Sequence, residues 1–153
     1  MIKESYFAGG CFWCIAAVFT DINGVIEVIS GFSGETEDNQ LPPPSYEDVK
    51  SQKTPYRETI KIIYDDTLIS YEKILSIFLE NVDPFDEGGQ YIDRGFSYTL
   101  AIFYKDEIEL LNAKQKIDEL EKISNKKVYI SLEKYSIFYI ADEFHQNYHQ
   151  MLH

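Results

Sequence analysis

The stretch SYFAGGCFWCIAAVFT, residues 5–20, decides how this chain is expected to fold. Ser5 to Ala8 predict a short strand, two glycines end it, and Cys11 to Thr20 have the composition of a buried helix. Cys11 is therefore expected at the N-terminus of a helix. The positive end of the helix dipole and the free N–H groups there stabilise an anion, so we expect a lowered pKa and a larger thiolate fraction for Cys11.

Cys11 and Cys14 are the only two cysteines of the chain. Residues three apart in the first turn of a helix lie on one face, with a Cα separation within the range of roughly 4.4 to 6.8 Å that a disulfide spans. In a reducing compartment, such close spacing indicates redox chemistry or metal binding more than structural bridging. Simple packing of two small thiols does not account for the two preceding glycines and the intervening Phe12 and Trp13.

Two other sites are compatible with this thiol pair. A zinc site would combine it with three histidines that recur every four residues near the end of the chain, His145, His149 and His153. About 130 residues separate the two halves of that site, far more than in a zinc finger. A glutaredoxin-like disulfide reductase would explain a strand followed by C-x-x-C and the later Thr54-Pro55, but the length of the chain and the bulk of Phe12-Trp13 count against it.

Strands and helices alternate along the rest of the chain. Hydrophobic periodicity predicts strands at 24–34, 58–64, 98–104 and 127–132, and helices at 70–82, 106–120 and 141–152. Residues 34–45, with three consecutive prolines, predict a surface loop that delivers Tyr46, and residues 83–95 are irregular. Some connections are too short for parallel crossovers. We therefore expect one α+β domain over 1–153, a two-layer sandwich with a mixed β-sheet covered by helices and a ferredoxin-like core.

Length and charge restrict the possible functions. The 153 residues, with 44% apolar side chains, are typical of a single globular domain. The net charge of −12 argues against a nucleic-acid partner, because phosphate binding needs basic surfaces. The sequence contains neither an 18-residue apolar run nor a signal-peptide pattern, so no membrane association and a cytoplasmic location are expected.

Across essentially its whole length the sequence resembles the A-type peptide methionine sulfoxide reductases, in a form whose motif reads G-C-F-W-C. Segments similar to the family's motifs occur in the family's order: Cys11-Phe12-Trp13, the glycine-aromatic turn Gly31 to Gly34, Pro44 to Val49, Thr54 to Glu58, Asp83-Pro84, Gln90 to Tyr98, and Phe144 to Tyr148. The resemblance implies an enzyme that reduces the S epimer of methionine sulfoxide, free or in proteins, with no metal or organic cofactor.

The resemblance also implies roles for individual side chains. Cys11 would attack the sulfoxide sulfur and become a sulfenic acid, and Glu58 would protonate the oxygen, for which burial must raise its pKa. The substrate-binding residues would be two hydrogen-bond donors, Tyr46 and Tyr98, an apolar slot for the S-methyl group, Phe12 and Trp13, and a surrounding network that includes Asp93.

The sequence departs from the family at several positions. Tyr56 stands where the family has histidine, and Cys14 stands where many members have glycine. No cysteine occurs near the C-terminus, where many members keep their recycling thiols. We therefore expect Cys14 to resolve the sulfenic acid as a Cys11-Cys14 disulfide, which thioredoxin then reduces. The alternative is direct attack by an external thiol, with Cys14 only filling the place of the family's glycine.

Overall fold

The computed structural model describes residues 1–34, 44–52 and 54–141. Its strands are β1 (Ile2–Gly9), β2 (Val25–Gly34), β3 (Tyr56–Asp65), β4 (Gly89–Gln90), β5 (Asp93–Arg94), β6 (Leu100–Tyr104), β7 (Ile130–Lys134) and β8 (Phe138–Ile140). Its helices are α1 (Phe12–Thr20), α2 (Tyr46–Lys50), α3 (Tyr71–Glu80) and α4 (Glu107–Ser124), with one turn of 3-10 helix at Phe96–Tyr98.

Six of the described strands form one mixed sheet in the order β7-β6-β1-β3-β2-β8. All neighbours are antiparallel except β6 and β7, which are parallel. The four central strands, with α1 joining β1 to β2 and α3 lying between β3 and β6, give the β-α-β-β-α-β arrangement of a ferredoxin-like core. The predicted α+β sandwich with a mixed sheet is confirmed. β4 and β5 form a separate two-stranded hairpin.

Alternation along the strands divides the core between the two faces of the sheet. Phe7 and Ile102 point to the face covered by the helices, whereas Tyr6 and Phe103 point to the opposite face. The buried side chains of the helix face include Phe12, Ile15, Phe19, Ile60, Ile62, Ile74, Leu75 and Phe78. The connection from β7 to β8 joins opposite edges of the sheet and covers the other face, where Tyr135 stacks on Tyr6 at 4.2 Å between ring centroids.

Several predicted elements are placed differently in the structure. The last predicted strand lies at Ile130–Lys134, and Tyr98 belongs to the 3-10 helix before β6 instead of to the strand. Residues 31–34 continue β2 and are not a turn. Glycine is needed at Gly31 because a Cβ there would collide with the carbonyl oxygen of Tyr139 in β8. The local sequence pattern does not show that two strands approach each other this closely.

Helix ends account for two further differences. The predicted capping box at α4 is only half formed, because Asp106 accepts the N–H of Glu109 while Glu109 accepts that of Lys105. A complete box occurs instead at α2, where Ser45 and Asp48 accept from each other's backbone. Neither α2 nor β8 was predicted from the pattern. The predicted helix at 141–152 lies outside the described residues except for Ala141. Among the described helices, none has the length and apolar character needed to span a bilayer.

Candidate active site

The turn between β1 and α1 places Cys11 at the start of the helix. Gly10 has φ +87°, and a Cβ there would lie 2.8 Å from the Cβ of Gln90. Cys11 is the N-cap of α1, with its carbonyl oxygen accepting the N–H groups of Cys14 at 3.1 Å and Ile15 at 3.2 Å. The expected position of Cys11 at a helix N-terminus is confirmed. Gly10 allows the backbone to turn from the strand into the helix, because glycine adopts a positive φ without strain.

The two thiols lie close enough to share a hydrogen bond, with Cys11 half-buried and Cys14 exposed. That bond lowers the pKa of Cys14 to about 7. The same bond, burial and the charge of Glu58 raise the pKa of Cys11. The pKa of Cys11 in the reduced pair thus shifts in the direction opposite to the expected one, because the shared hydrogen bond favours the thiolate on the exposed Cys14.

Glu58 lies directly behind this helix start. Alternation along β3 turns Glu58 to the same face as Ile60 and Ile62, so its carboxyl group is buried with only 2% of the residue exposed. Oε1 accepts the backbone N–H of Phe12 at 3.1 Å, and the Tyr98 hydroxyl group lies close enough to the carboxyl group to lower its pKa. Burial raises the pKa of Glu58 to about 7. The Phe12 hydrogen bond and, to a smaller extent, the Tyr98 hydroxyl group oppose this shift, and the charge of Asp93 adds to it. A group with this pKa exchanges a proton near neutral pH.

Two tyrosines lie within range of the Glu58 charge. Tyr46 begins α2, and burial followed by the charge of Glu58 raises its pKa to about 12. The same two causes raise the pKa of Tyr98 in the 3-10 helix. Both hydroxyl groups therefore keep their protons at neutral pH and are able to donate hydrogen bonds.

Aromatic rings form a continuous cluster beside Cys11. The Phe12 ring lies 5.5 Å from Trp13 and 5.7 Å from Phe32, and Tyr46 stacks on Trp13 at 5.7 Å with 28° between the planes. Phe12 is buried, whereas Trp13 and Tyr46 are half-buried. Trp13 and Tyr46 therefore offer an apolar surface next to the thiol and the Glu58 carboxyl group, with the buried Phe12 ring behind them.

Gln52 fastens the turn after α2 to the 3-10 helix. Its backbone has φ +66°, and its side chain donates to Ser97 Oγ at 2.7 Å and accepts from the Ser97 N–H at 2.8 Å. The segments that carry Tyr46 and Tyr98 are thereby joined. Gln52 was not predicted from the sequence, because it lies between two of the motifs similar to the family's and no local pattern distinguishes it.

A small cleft of about 70 Å³ lies beside the two thiols. Its lining includes Cys11 and Cys14 together with three residues of the β4–β5 hairpin, Gln90, Tyr91 and Asp93. The charge of Asp93 raises the pKa of both Glu58 and Cys14, so this carboxylate acts on the acid and on the exposed thiol. Gln90 was quoted only as part of a motif, and its contact with Gly10 is visible only in the structure.

Comparison with known proteins identifies the family. The family model for peptide methionine sulfoxide reductase matches residues 3–152. The chain belongs to that family. Peptide methionine sulfoxide reductase MsrA 2 from Staphylococcus aureus strain Mu50 is 40% identical over 153 residues, covering 98% of this chain and 84% of the relative. The prediction of a methionine sulfoxide reductase from the ordered motifs is confirmed.

Solved structures agree with the reductase fold. The crystal structure of Mxr1 from Saccharomyces cerevisiae in reduced form superposes with a TM-score of 0.89, at 22% identity, over 98% of this chain and 85% of Mxr1. Mxr1 in complex with Trx2 gives a TM-score of 0.63, at 15% identity, over 96% of this chain and 84% of Mxr1. At these identities the likeness demonstrates a shared fold.

The reductase brings the predicted site residues together from four separate segments. Cys11, Phe12, Trp13 and Cys14 come from the start of α1, Tyr46 from α2, Glu58 from β3, and Asp93 and Tyr98 from the segment before β6. Among the described residues, no group of three or more potential metal ligands occurs. The three histidines of the alternative zinc site lie outside the described residues.

Proposed function

We propose that this reductase acts on the S epimer of methionine sulfoxide, free or in proteins, with Cys11 as nucleophile and thioredoxin as reductant. The observation that carries the proposal is the placement of Cys11 between a second thiol and a buried carboxyl group with a pKa of about 7. The motifs similar to those of the A-type family support specificity for the S epimer. A cytoplasmic location is part of the proposal, since thiols this close stay reduced in that compartment.

In the first step, the proton shared by the thiol pair moves to Cys14, which leaves Cys11 as the thiolate without a change in total charge. The Cys11 sulfur attacks the sulfoxide sulfur, and protonated Glu58 donates its proton to the sulfoxide oxygen. The S–O bond then breaks, the oxygen passes to Cys11 as a sulfenic acid, and methionine leaves. The buried carboxyl group of Glu58, with a pKa of about 7, supports this role, because it holds a proton in part of the molecules at neutral pH.

Binding groups for the sulfoxide surround this position. Tyr46 and Tyr98 stay protonated and would donate hydrogen bonds to the oxygen, which strengthen as negative charge develops there. Trp13, backed by the buried Phe12 ring, would hold the S-methyl group, whose burial contributes only about 1 kcal/mol. Asp93 would keep the pKa of Glu58 high enough for a proton to be present at neutral pH.

In the second step, the Cys14 thiol attacks the sulfenic acid, water leaves, and a Cys11-Cys14 disulfide forms. Two thiols of thioredoxin then reduce the disulfide and become a disulfide themselves, which restores both cysteines. The shared hydrogen bond of the two thiols supports a direct reaction between them. The structure of the relative Mxr1 in complex with Trx2 supports thioredoxin as donor.

The proposal is tested with chelator-treated protein and dithiothreitol, using each sulfoxide epimer and a small disulfide as substrates. Turnover of the S epimer, little turnover of the R epimer, and loss of activity in Cys11→Ser are expected. Reduction of the disulfide in place of the sulfoxide would instead indicate a glutaredoxin-like enzyme.

The resolving role is tested with Cys14→Ser. This variant should release one methionine per enzyme and then stall with thioredoxin, while dithiothreitol restores turnover. Mass spectrometry of substrate-treated wild type should show a loss of two hydrogens. Normal turnover of Cys14→Ser with thioredoxin would leave Cys11 as a lone catalytic thiol.

A further inference from the structure

We infer that the tip of the β4–β5 hairpin, Tyr91 and Ile92, is the docking surface for the protein reductant. The partner is a thioredoxin-type protein that carries two thiols, so the inference rests on the proposed function. The hairpin tip would contact this partner while one partner sulfur reaches Cys14.

Both tip residues are large, apolar and exposed. Tyr91 is 73% exposed and Ile92 is 92% exposed, and they are adjacent in the chain. Isolated exposed apolar side chains are common on protein surfaces, so exposure by itself assigns no function. Their place on a fixed hairpin beside the thiols distinguishes this pair.

Hydrogen bonds hold the hairpin in one shape. The Gly95 N–H donates to the Gly88 oxygen at 2.9 Å, and the Arg94 guanidinium donates to the two carboxylate oxygens of Asp86 at 2.5 and 2.7 Å. This pairing also lets the charges of Arg94 and Asp86 compensate each other. A preorganised surface loses little conformational entropy when a partner binds.

The hairpin is attached to the segment that carries the nucleophile. The Gln90 side chain exchanges two hydrogen bonds with the backbone of Asp83, at 2.8 and 2.9 Å, and packs against Gly10, the residue before Cys11. Tyr91 lines the same small cleft as Cys11 and Cys14. The tip therefore keeps a fixed position relative to both sulfur atoms.

Reduction of the Cys11-Cys14 disulfide requires the partner to bind on the surface that carries Cys14 and the hairpin. Cys14 is the exposed cysteine, so a partner thiolate attacks Cys14 Sγ, a mixed disulfide forms, and Cys11 leaves as the thiolate. The second partner thiol then attacks the partner's own sulfur in the mixed disulfide, and Cys14 leaves as the thiolate. Ala17, one turn after Cys14 and exposed, is too small to block this approach.

The aromatic cluster favours a different location for the sulfoxide substrate. Successive residues of a helix point about 100° apart, and Trp13 turns toward Tyr46 whereas Cys14 turns toward the hairpin cleft. The surface beside Cys14 is thus separate from the proposed methyl slot. We assign it to the reductant and not to a methionine sulfoxide peptide.

The test compares Ile92→Ser with Ile123→Ser, a matched removal of an 85%-exposed isoleucine on α4. Activity is measured over a range of thioredoxin concentrations and, separately, with dithiothreitol. Ile92→Ser should raise the KM for thioredoxin at least about fivefold, as expected for loss of an interface anchor. Activity with dithiothreitol and the KM for a methionine sulfoxide peptide should stay unchanged, and Ile123→Ser should behave as wild type.

A second variant, Tyr91→Asn, should also raise the KM for thioredoxin, because asparagine tolerates the left-handed backbone at φ +52°. An unchanged KM for thioredoxin in both variants would overturn the inference, as would an increase in the peptide KM instead. Absence of sulfoxide reduction by the wild type with dithiothreitol would refute the proposed function itself. This result differs from failure of the docking inference, in which the wild type and both variants are active and have the same KM for thioredoxin.

Discussion

Two buried glutamates on opposite faces of the central sheet have opposite surroundings. Glu58 in β3 is 2% exposed and faces the helices, whereas Glu133 in β7 is 8% exposed and faces the other side. Glu133 forms an ion pair with Arg57, the residue directly before Glu58. Among the described residues, Glu58 has no cationic partner and accepts one backbone N–H.

This difference shows that the charged partner, and not the extent of burial, distinguishes the surroundings of the two carboxyl groups. Burying a charge costs several kcal/mol unless another charge or hydrogen bonds compensate it. Arg57 compensates Glu133 and also donates to Thr99 at 2.8 Å, which ties β3 to the segment before β6. Among the described residues Glu58 has no compensating cation, so burial raises its pKa to about 7 in spite of the hydrogen bonds that it accepts.

The aromatic clusters of the two faces differ in the same way. On the helix face, Trp13 and Tyr46 stack beside the thiols and remain half-buried. On the other face, Tyr135 stacks on Tyr6 where the chain crosses the sheet between β7 and β8. The first cluster lies beside the proposed reaction site, whereas the second covers the face of the sheet opposite the helices.

The largest expected effect is that of Glu58→Gln on the reaction. Removing the acid should lower the rate of single-turnover methionine formation by about 100-fold or more at pH 7, the usual contribution of a positioned acid. The variant should fold, because burying a neutral amide avoids the free-energy cost of burying a charged carboxylate. Glu133→Gln is the matched control, with a rate close to that of wild type. An unchanged rate in Glu58→Gln across pH would exclude Glu58 as the acid.

Glu133→Gln should instead reduce the free energy of unfolding, by about 3 kcal/mol, because Arg57 keeps its buried charge without a compensating carboxylate. Urea denaturation of the two glutamine variants measures this difference. Replacing both members of the pair by Arg57→Met and Glu133→Leu should recover part of the loss. A loss below about 0.5 kcal/mol in Glu133→Gln would contradict a structural role for the pair.

The pH dependence of stability should also separate the two glutamates. The pKa of Glu58 is about 7 in the folded protein against a usual value of 4.5, so the folded state binds more protons between these values. Stability from this group is complete below about pH 4.5 and is lost as the pH rises through 7. The free energy of unfolding of Glu58→Gln relative to wild type should therefore increase by on the order of 3 kcal/mol between pH 4.5 and 8. If this increase is absent, the Glu58 carboxyl group is in contact with solvent.

The smallest expected effects concern the aromatic clusters. Trp13→Ala should lower kcat/KM about tenfold, through both kcat and KM, with a modest change in stability. Tyr135→Ala should leave kcat/KM unchanged and lower the free energy of unfolding by about 1 to 2 kcal/mol, from the loss of its stack on Tyr6. Steady-state kinetics and thermal unfolding of both variants measure the contrast. Normal kinetics in a folded Trp13→Ala would rule out the methyl slot.

The sequence predicted most of the fold because local patterns specify most of it. The periodicity from Ser70 to Val82 predicted α3, with Ile74, Leu75 and Phe78 buried as expected. The strand, two glycines and helix at the N-terminus predicted where Cys11 lies. The short strand β8 was missed because its pairing with β2 depends on how the chain crosses the sheet.

The sequence by itself determined the family, the order of the main elements and the residues gathered at the site, since motifs and periodicity are properties of neighbours along the chain. Only the tertiary structure decided which groups are charged. The proton on Cys11 depends on Cys14 and on Glu58, which lies 46 positions after the Phe12 N–H that it accepts. The cation that compensates Glu133 lies 76 positions before it. Electrostatic energies depend on burial and on distances in space, which no local pattern contains.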